Sequence, residues 1–545
     1  MNPARRSALR LTALLAAATV GGPLRAAGAS AAAWATNAAD ADAQALHVLN
    51  RLAFGPRPGD LAHLKAVGID AWIAGQLRPA SLPLPPALAS QLEALGSTTL
   101  SERTLINTYR NAEKKAKRDK SAAAQSERRA FSQKVGFEAG EARLLNALAS
   151  PRQLQEVMVD FWFNHFNVYA GKGLDKVLVE SYEREAIRPH AMGRFRDLLG
   201  ATARHPAMLF YLDNWLSVAP GYQPRRRLGA DAKARLGGLN ENYARELMEL
   251  HTLGVDGGYS QRDVTELARI FTGWTLDAHG RGDGSVFRFD PARHDDGDKT
   301  WLGKSVAGRG EAEGDWALDV LAAHPATARH LAAKLAQAFV ADQPPAALVE
   351  RLARRFQDSG GDIPAVLATL FASPEFRDPA ARTQKFKTPY RYVISAVRAT
   401  DLPVRNVRPL LATLYPLGMP LYGCQTPDGY KNTEQAWLNP EAVTRRIEFA
   451  TALAAGRLPL LRAPGDAAAG GAGVGPKALQ READRDVGGK AGRADADEGT
   501  PPIAADALLA SLGPALSQRT RDAVAQAEPG LRAALLLGSP DFMRH

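Results

Sequence analysis

Apolar residues recur every three or four positions through most of the chain, which is the spacing of helices that bury one face. Breakers such as Gly55-Pro56 end several of these runs. Strand-like alternation is scarce and is clearest at residues 287–290. The pattern predicts a mainly α protein, with one large multi-helical body and few short strands. The predicted helices cover residues 42–54, 58–77, 152–166, 186–200, 240–254, 261–272, 316–341 and 346–357.

Residues 110–130 differ from these helices, because they are rich in Ala and in charged residues and carry no wide apolar stripe. We predict a solvated helix or a partly ordered arm at this position. An arm that binds nucleic acid is the weaker alternative, since acidic residues interrupt the basic ones.

Residues 463–502 contain no aromatic residue and are rich in Gly, Ala and Asp, the composition of a disordered linker or insertion. They separate a main helical domain, residues 40–462, from a short helical segment at 503–545. An apolar run followed by Ser-Pro occurs at 367–376 and again at 534–542. We therefore expect the C-terminal helices to dock on the main domain.

The chain has 545 residues, with 68 Lys and Arg against 58 Asp and Glu, so its net charge is +10. Arg5, Arg6, Arg10 and Arg25 supply four of these charges within the first 25 residues. The remaining excess is mild and gives little support to a nucleic-acid binder, which needs clustered positive charge. The single cysteine, Cys424, excludes an intramolecular disulfide, a multi-cysteine zinc site and a cysteine-ligated iron–sulfur cluster.

Residues 1–31 have the form of a signal peptide. A basic start precedes an apolar stretch, and small residues suited to cleavage follow it. The pair Arg5-Arg6 resembles the pair in twin-arginine signals. We therefore expect export by that route and a periplasmic or secreted protein. No later segment reaches about eighteen uninterrupted apolar residues, so we predict no integral membrane span.

Polar side chains share one face of the predicted helix at 152–166, which is otherwise apolar and aromatic. Asp160 and Asn164 lie on this face, and His165 lies beside Phe161. A carboxylate buried with such a helix needs partners or a metal. The functional interpretation is that Asp160, Asn164 and His165 line a pocket. The alternative is a satisfied polar network between helices.

A second polar segment, residues 239–274, carries Glu246 and His251. The two are five positions apart, about 140° around a helix, and cannot easily hold one ion together. Any metal would therefore need a ligand from another segment, such as His165 or His294. A third segment, the loop at 287–304, crowds His294, Asp295 and Lys299, and its alternative is an Asx-rich turn.

These segments supply the candidate site residues. The catalytic candidates are Asp160, His165, Glu246, His294 and Asp295. The substrate-binding candidates are Asn164, Asn242, Tyr243, Lys299 and Trp274. The speculative metal ligands are His165, His251 and His294.

Two classes of function remain open. The first is a hydrolase or lyase-type enzyme that acts on an envelope or extracellular polymer through an acid–base or metal site. The cofactor is then unknown, and a divalent metal is one alternative. The second class is a non-catalytic helical scaffold or partner for a co-secreted enzyme, in which the acids brace one helix against another.

Several uncommon strings occur in order along the chain, among them LNRLAFGPRPGD, DFWFNHFNV, HPAMLFYLDNWLS and FDPARHDDGDKTWLG. They resemble the domain of unknown function 1800 family over roughly residues 43–545. The resemblance implies a mostly helical, exported bacterial protein. It also implies a partner, because such proteins often occur beside members of unknown-function family 1501, which is similar to the alkaline-phosphatase and sulfatase superfamily. No established activity comes with it. The chain departs from the family pattern at Arg391, where an acid commonly follows K-x-K-x-P.

Overall fold

A computed structural model describes residues 38–223, 238–277, 286–462 and 500–545. This part of the chain is mainly helical, as the apolar spacing predicts. The predicted signal peptide and nearly all of the predicted insertion lie outside the described residues. Among the described helices, none combines the length and the apolar character that a membrane span requires.

Helices supply most of the body. In the first half they are α1 (Ala38–Leu52), α2 (Asp60–Val67), α3 (Ile69–Gln76), α4 (Pro86–Glu93), α5 (Glu102–Asp119), α6 (Ala122–Ala149), α7 (Gln153–His165), α8 (Asp175–Ser181), α9 (Phe195–Arg204), α10 (Pro206–Tyr211), α11 (Asn242–Glu249) and α12 (Gln261–Ile270). In the second half they are α13 (Glu311–Ala323), α14 (Pro325–Phe339), α15 (Ala346–Asp358), α16 (Ile363–Phe371), α17 (Pro374–Arg377), α18 (Pro389–Thr400), α19 (Arg408–Leu414), α20 (Glu434–Trp437), α21 (Pro440–Ala454), α22 (Ala505–Leu512), α23 (Gln518–Gln526) and α24 (Pro529–Leu537).

In the described part of the chain, four short strands form two antiparallel pairs. Strand β1 (Trp274–Leu276) pairs with β2 (Phe287–Phe289), and β3 (Lys299–Trp301) pairs with β4 (Lys304–Val306). The strand predicted at 287–290 is therefore confirmed. Both hairpins lie between α12 and α13 in the chain, so strand structure is local within an otherwise helical body.

Two predicted helices are each divided in two, and a third, the run at 186–200, covers the end of a π-helix (Tyr182–Ile187), a turn and the start of α9. The run at 58–77 breaks at Gly68, whose φ of +90° no helix residue adopts. The run at 316–341 breaks at His324, where the side chain accepts a hydrogen bond from the backbone N–H of Ala326 and Pro325 takes the first helical position. Apolar spacing continues across both breaks, so periodicity alone does not locate them.

The charged segment at 110–130 is a helical hairpin. Helix α5 ends at Asp119, Lys120 adopts a positive φ, and Ser121 caps α6 by accepting from the N–H of Ala124. The segment is ordered as the end of one helix and the start of the next, rather than as one continuous helix.

Buried apolar residues form one contiguous core that extends from α1 to the last residues of the chain. The C-terminal segment packs against the main body: Tyr392 donates its hydroxyl to the carbonyl of Leu537 at 3.0 Å, and Arg544 pairs with Glu434. Ser539 accepts from the N–H of Phe542, and Ser373 accepts from the N–H of Phe376, so the two Ser-Pro corners fold alike.

Two arginines of α18 hold the end of α1. Arg391 donates to the carbonyls of Asn50, Arg51 and Ala53 at 2.7–2.9 Å. Arg398 donates to the carbonyl of Gly55 at 3.0 Å. A cationic side chain suits this position, because the last carbonyls of a helix lack partners within the helix.

Candidate functional site

The polar face of α7 is closed by partners from other helices. Asp160 pairs with Arg143 at 2.5 Å, and Arg143 also pairs with Glu183 at 3.0 Å. Tyr422 donates its hydroxyl to Glu183 at 2.9 Å. The cavity beside Asp160 measures about 20 Å³, enough for about one water molecule. Asp160 and Asn164 line this small cavity, and the ion pair of Asp160 fits the alternative interpretation, a polar network between helices.

Asn164 positions a loop, residues 424–430. Its side-chain amide donates to the carbonyl of Tyr430 and accepts from the N–H of Tyr430, both at 2.8 Å. Asn167 donates to two carbonyls of the same loop. Gly429 has a φ of +70°, and a Cβ there would lie 2.2 Å from the carbonyl oxygen of Asn164. The side-chain amides of Asn164, in α7, and of Asn167, two residues after α7, thus fix the backbone of this loop.

His294 and Lys299 lie in a closed interior with Glu313. The Glu313 carboxylate is 3.1 Å from His294 Nε2 and 2.8 Å from Lys299 Nζ, and all three side chains are fully buried. His294 Nδ1 donates to the carbonyl of Thr272 at 2.8 Å. Both ring nitrogens thus face acceptors, and the contacts with Glu313 and Thr272 outweigh burial and raise the pKa of His294. No lone pair of this imidazole is left for a metal.

The other predicted residues of this region are also structural. Asp295 pairs with Arg269 at 2.7 Å. Tyr243 and Trp274 belong to the apolar core, with at most 1% of their surface exposed. None of these side chains is placed to contact a substrate.

An open cleft of about 460 Å³ lies where four chain segments meet. Its wall combines aromatic, amide and charged groups, the mixture found in sites that fix polar ligands. The lining residues are Tyr169, Lys172, Tyr211, Leu212, Asn242, Glu246, Gln425 and Pro427. Two predicted residues, Asn242 and Glu246, therefore share a cleft one helical turn apart on α11.

Two carboxyl groups at this cleft have pKa values displaced in opposite directions. Burial raises the pKa of Glu246, and the charges of Glu249 and Asp428 add to the rise. Asp428 follows the lining residue Pro427 in the chain and pairs with Lys431 at 2.6 Å. Burial alone would raise its pKa, but hydrogen bonds from Lys431 and Thr426 outweigh it and hold the pKa low. Glu246 is thereby favoured as a proton donor and Asp428 as a proton acceptor.

A third carboxyl lies behind the cleft wall. Asp175, at the start of α8, is fully buried, and neither carboxylate oxygen has a hydrogen-bond partner. Burial raises its pKa well above the usual range, against the opposing charge of Lys172. The neutral acid is therefore the form that the fold accommodates.

A cluster of imidazoles surrounds Lys334 of α14. Lys334 Nζ is 3.1 Å from His165 Nδ1, and His165 Nε2 donates to the carbonyl of His251 at 3.1 Å. His330, one turn before Lys334, donates from Nε2 to the carbonyl of Leu250 at 3.2 Å. His165 and His330 thus bind the carbonyls that follow α11, and both nitrogens of His165 are occupied.

Burial sets the charge state of this cluster. It lowers the pKa of His165 well below the usual range, that of His251 to about 3 and that of His330 to about 4. Burial also lowers the pKa of Lys334 to about 8, assisted by the charge of Lys431 and opposed by that of Asp428. The rings are neutral at physiological pH, and Lys334 titrates close to it.

The predicted metal ligands His165, His251 and His294 do not form one set, because His294 is bound to Glu313. In the described ranges, Glu102, Glu185 and His205 are the one group of three whose ligand atoms lie within 4.8 Å of one another. His205 Nδ1 accepts from the N–H of Ala207. A neutral ring with that tautomer carries its proton on Nε2, the atom that faces Glu102 at 2.6 Å. This group therefore fits a histidine–carboxylate contact better than a metal.

Comparison with known proteins gives one match. The family model described as "Protein of unknown function (DUF1800)" matches residues 47–544. The chain belongs to the DUF1800 family. No curated protein and no solved structure matches it.

In this DUF1800 protein the predicted site residues occupy four separate places, and Tyr243 and Trp274 lie in the apolar core. Asp160 and Asn164 lie on the polar face of α7. Glu246 and Asn242 line the cleft, His165 and His251 lie in the imidazole cluster, and His294, Asp295 and Lys299 brace the hairpin region. Sequence reasoning missed three groups that complete these places: Asp175, Glu313, and the pair His330 and Lys334. The last pair is spaced i, i+4 on a predicted helix, which was a usable signal. Nothing local distinguishes Asp175 or Glu313 from surface acids.

Proposed function

We propose that this DUF1800 protein is an exported hydrolase that cleaves a polyhydroxylated envelope or extracellular polymer in the cleft. The observation that carries the proposal is the cleft itself, which Glu246 lines with a raised pKa and beside which Asp428, next to the lining residue Pro427, has a lowered pKa. Such pairs are a signature of acid–base sites. Within the described residues, Glu246 makes no ion pair that would explain its burial as a brace.

The cleft residues divide into binding and reacting groups. Tyr169 offers a half-exposed aromatic ring, and Asn242 and Gln425 offer exposed amides that can donate to and accept from hydroxyl groups. In the reaction, Glu246 gives its proton to the leaving oxygen as the bond to it breaks. Asp428 takes a proton from the water that attacks the electrophilic carbon. The products are two hydroxyl-bearing ends, and the two carboxyl groups exchange protonation states.

The test is an assay for newly released reducing ends, with isolated peptidoglycan and with acidic and neutral exopolysaccharides as the probes. We expect turnover on one of them and a loss of at least 100-fold in Glu246→Gln. Asp256→Asn removes an exposed acid that follows α11 and does not line the cleft, and it should keep activity within threefold. Equal activity in Glu246→Gln and wild type, or no turnover on any probe, would overturn the proposal.

The proposal of export is based on the signal-peptide pattern of residues 1–31. Replacing Arg5-Arg6 with Lys-Lys should retain the protein in the cytoplasm, as measured by fractionation, if the twin-arginine route is used. Unchanged export would show another route, and absence of the wild type from the periplasm and medium would contradict export.

The second candidate function is a helical scaffold or partner of a co-secreted sulfatase- or phosphatase-like protein of unknown-function family 1501. It is favoured by the closed braces, since Asp160 pairs with Arg143 and both ring nitrogens of His294 face partners within the chain. Co-purification of the two exported proteins, together with inactivity on every polymer, would select this function over the enzyme.

A further inference from the structure

The protein's excess positive charge is concentrated in one short segment. Residues 110–134, here called the basic arm, lie between buried Tyr109 and buried Val135 and contain nine Lys or Arg and three Asp or Glu, a net charge of +6. The whole chain carries +10, of which the first 25 residues supply +4. All other residues together are neutral, so the arm carries the whole remaining excess.

The arm extends away from the core as the hairpin of α5 and α6. Within it only Ala116 and Ala124 are buried, so the two helices touch through small side chains near the tip. Some of its charges pair internally, as Lys115 does with Glu127 at 2.5 Å, but the pair is more than half exposed. Exposed pairs of this kind contribute little to the stability of the fold. The three acids of the arm can also pair with only some of its nine cations, so internal pairing does not explain the excess.

The cations of α5 form a stripe opposite the buried face. Lys114, Lys117 and Arg118 are exposed and spaced i, i+3 and i+4, which places them within about 100° of one another. The three cations lie within about 6 Å along the helix axis. Ala116 and Tyr109 point to the other side of the helix. A row of cations on a solvent face matches an extended polymer with regularly spaced negative charges.

The composition of the arm limits the classes of polymer that it can bind. Residues 111–130 contain no aromatic residue, so no ring is available for the base stacking typical of single-stranded nucleic acid. They also contain no Leu, Ile, Val or Met, which an interfacial membrane helix needs on its apolar face. We propose that the basic arm binds an acidic polysaccharide along the stripe of Lys114, Lys117 and Arg118. This proposal does not rest on the cleft or on its chemistry.

The test compares two triple variants of equal charge by titration calorimetry with oligogalacturonate as the probe, from 50 to 200 mM NaCl. Lys114→Gln/Lys117→Gln/Arg118→Gln should weaken binding at least tenfold at 50 mM salt and lower the slope of log Kd against log salt by about 2–3. The control, Lys176→Gln/Arg354→Gln/Arg519→Gln, removes three exposed cations outside the arm and should change Kd less than twofold. Circular dichroism checks that both variants keep the helical content of the wild type.

Equal weakening by the two triple variants would overturn the proposal, because it would show a response to net charge alone. Tighter binding of the wild type to DNA or to anionic phosphatidylglycerol vesicles at the same salt would also overturn it. Binding to oligogalacturonate but not to neutral dextran of equal length supports it.

Discussion

Glu313 and Glu246 are both acids that the fold shields at least partly from water, yet their pKa values shift in opposite directions. Glu313 is fully buried between His294 and Lys299, and their hydrogen bonds hold its pKa below the usual value although burial opposes this. Glu246 is half-buried at an open cleft, and its pKa is raised. A buried acid whose oxygens are taken by cations supports the fold, whereas one left without them keeps a proton available for chemistry.

The largest effect is expected from breaking the closed network. Glu313→Gln leaves Lys299 charged and fully buried without its counter-charge, so we expect the free energy of unfolding to fall by about 3–5 kcal/mol. Denaturant unfolding measures this. Glu311→Gln, a change on the same helix at a more exposed position, serves as the control and should cost under about 0.5 kcal/mol. A loss below about 1 kcal/mol in Glu313→Gln would show that the triad is not a brace.

Replacing Asp175 should stabilise the protein, whereas replacing Glu313 should destabilise it. The folded pKa of Asp175 lies well above 3.8, so the folded state binds more protons than the unfolded state above that pH, and stability falls as pH rises. Asp175→Asn is always neutral. It should therefore be more stable than wild type at pH 8, by about 1–3 kcal/mol, the usual cost of an unsatisfied buried group. The difference should vanish below about pH 4, and a destabilised Asp175→Asn at pH 8 would contradict this account.

Lys334 should make the stability of the protein depend on pH in the alkaline range, with a smaller effect than that of Asp175. The pKa of Lys334 falls from 10.5 to about 8 on folding, so the unfolded state binds more protons in that window and stability rises with pH. Lys334→Met should raise the melting temperature at pH 7 by a few degrees and leave it unchanged near pH 10.5. Amine labelling followed by mass spectrometry gives an independent check. Its rate at Lys334 should level off above about pH 8.

The smallest effect on stability is expected at the cleft. Glu246→Gln removes a half-buried acid that makes no ion pair among the described residues, so the free energy of unfolding should stay within about 0.5 kcal/mol of wild type. Thermal unfolding at pH 7 measures it. A loss comparable to that of Glu313→Gln would place Glu246 with the braces and remove the contrast between the two regions.

The spacing of apolar residues was enough to predict a mainly helical fold, because each helix buries one face and the residues of that face recur every three or four positions. It failed at Gly68 and Pro325, where single residues end a helix inside a continuous apolar pattern. Candidate residues on one helix face, such as Asn242 and Glu246, could be grouped in the same local way. The partners that decide each role are remote in sequence: Lys334 reaches His165 across 169 positions and Asn164 reaches Tyr430 across 266. No single helix pattern contains that information.

The hydrogen bonds from Arg391 to the end of α1 join residues 341 positions apart. A ribosome that adds about 5–20 residues per second needs on the order of half a minute to make that stretch of chain. During synthesis the first helix therefore emerges with its last carbonyls hydrated and its apolar face uncovered. These contacts can form only when α18 has left the exit tunnel, so the end of α1 reaches its native hydrogen bonds late in synthesis.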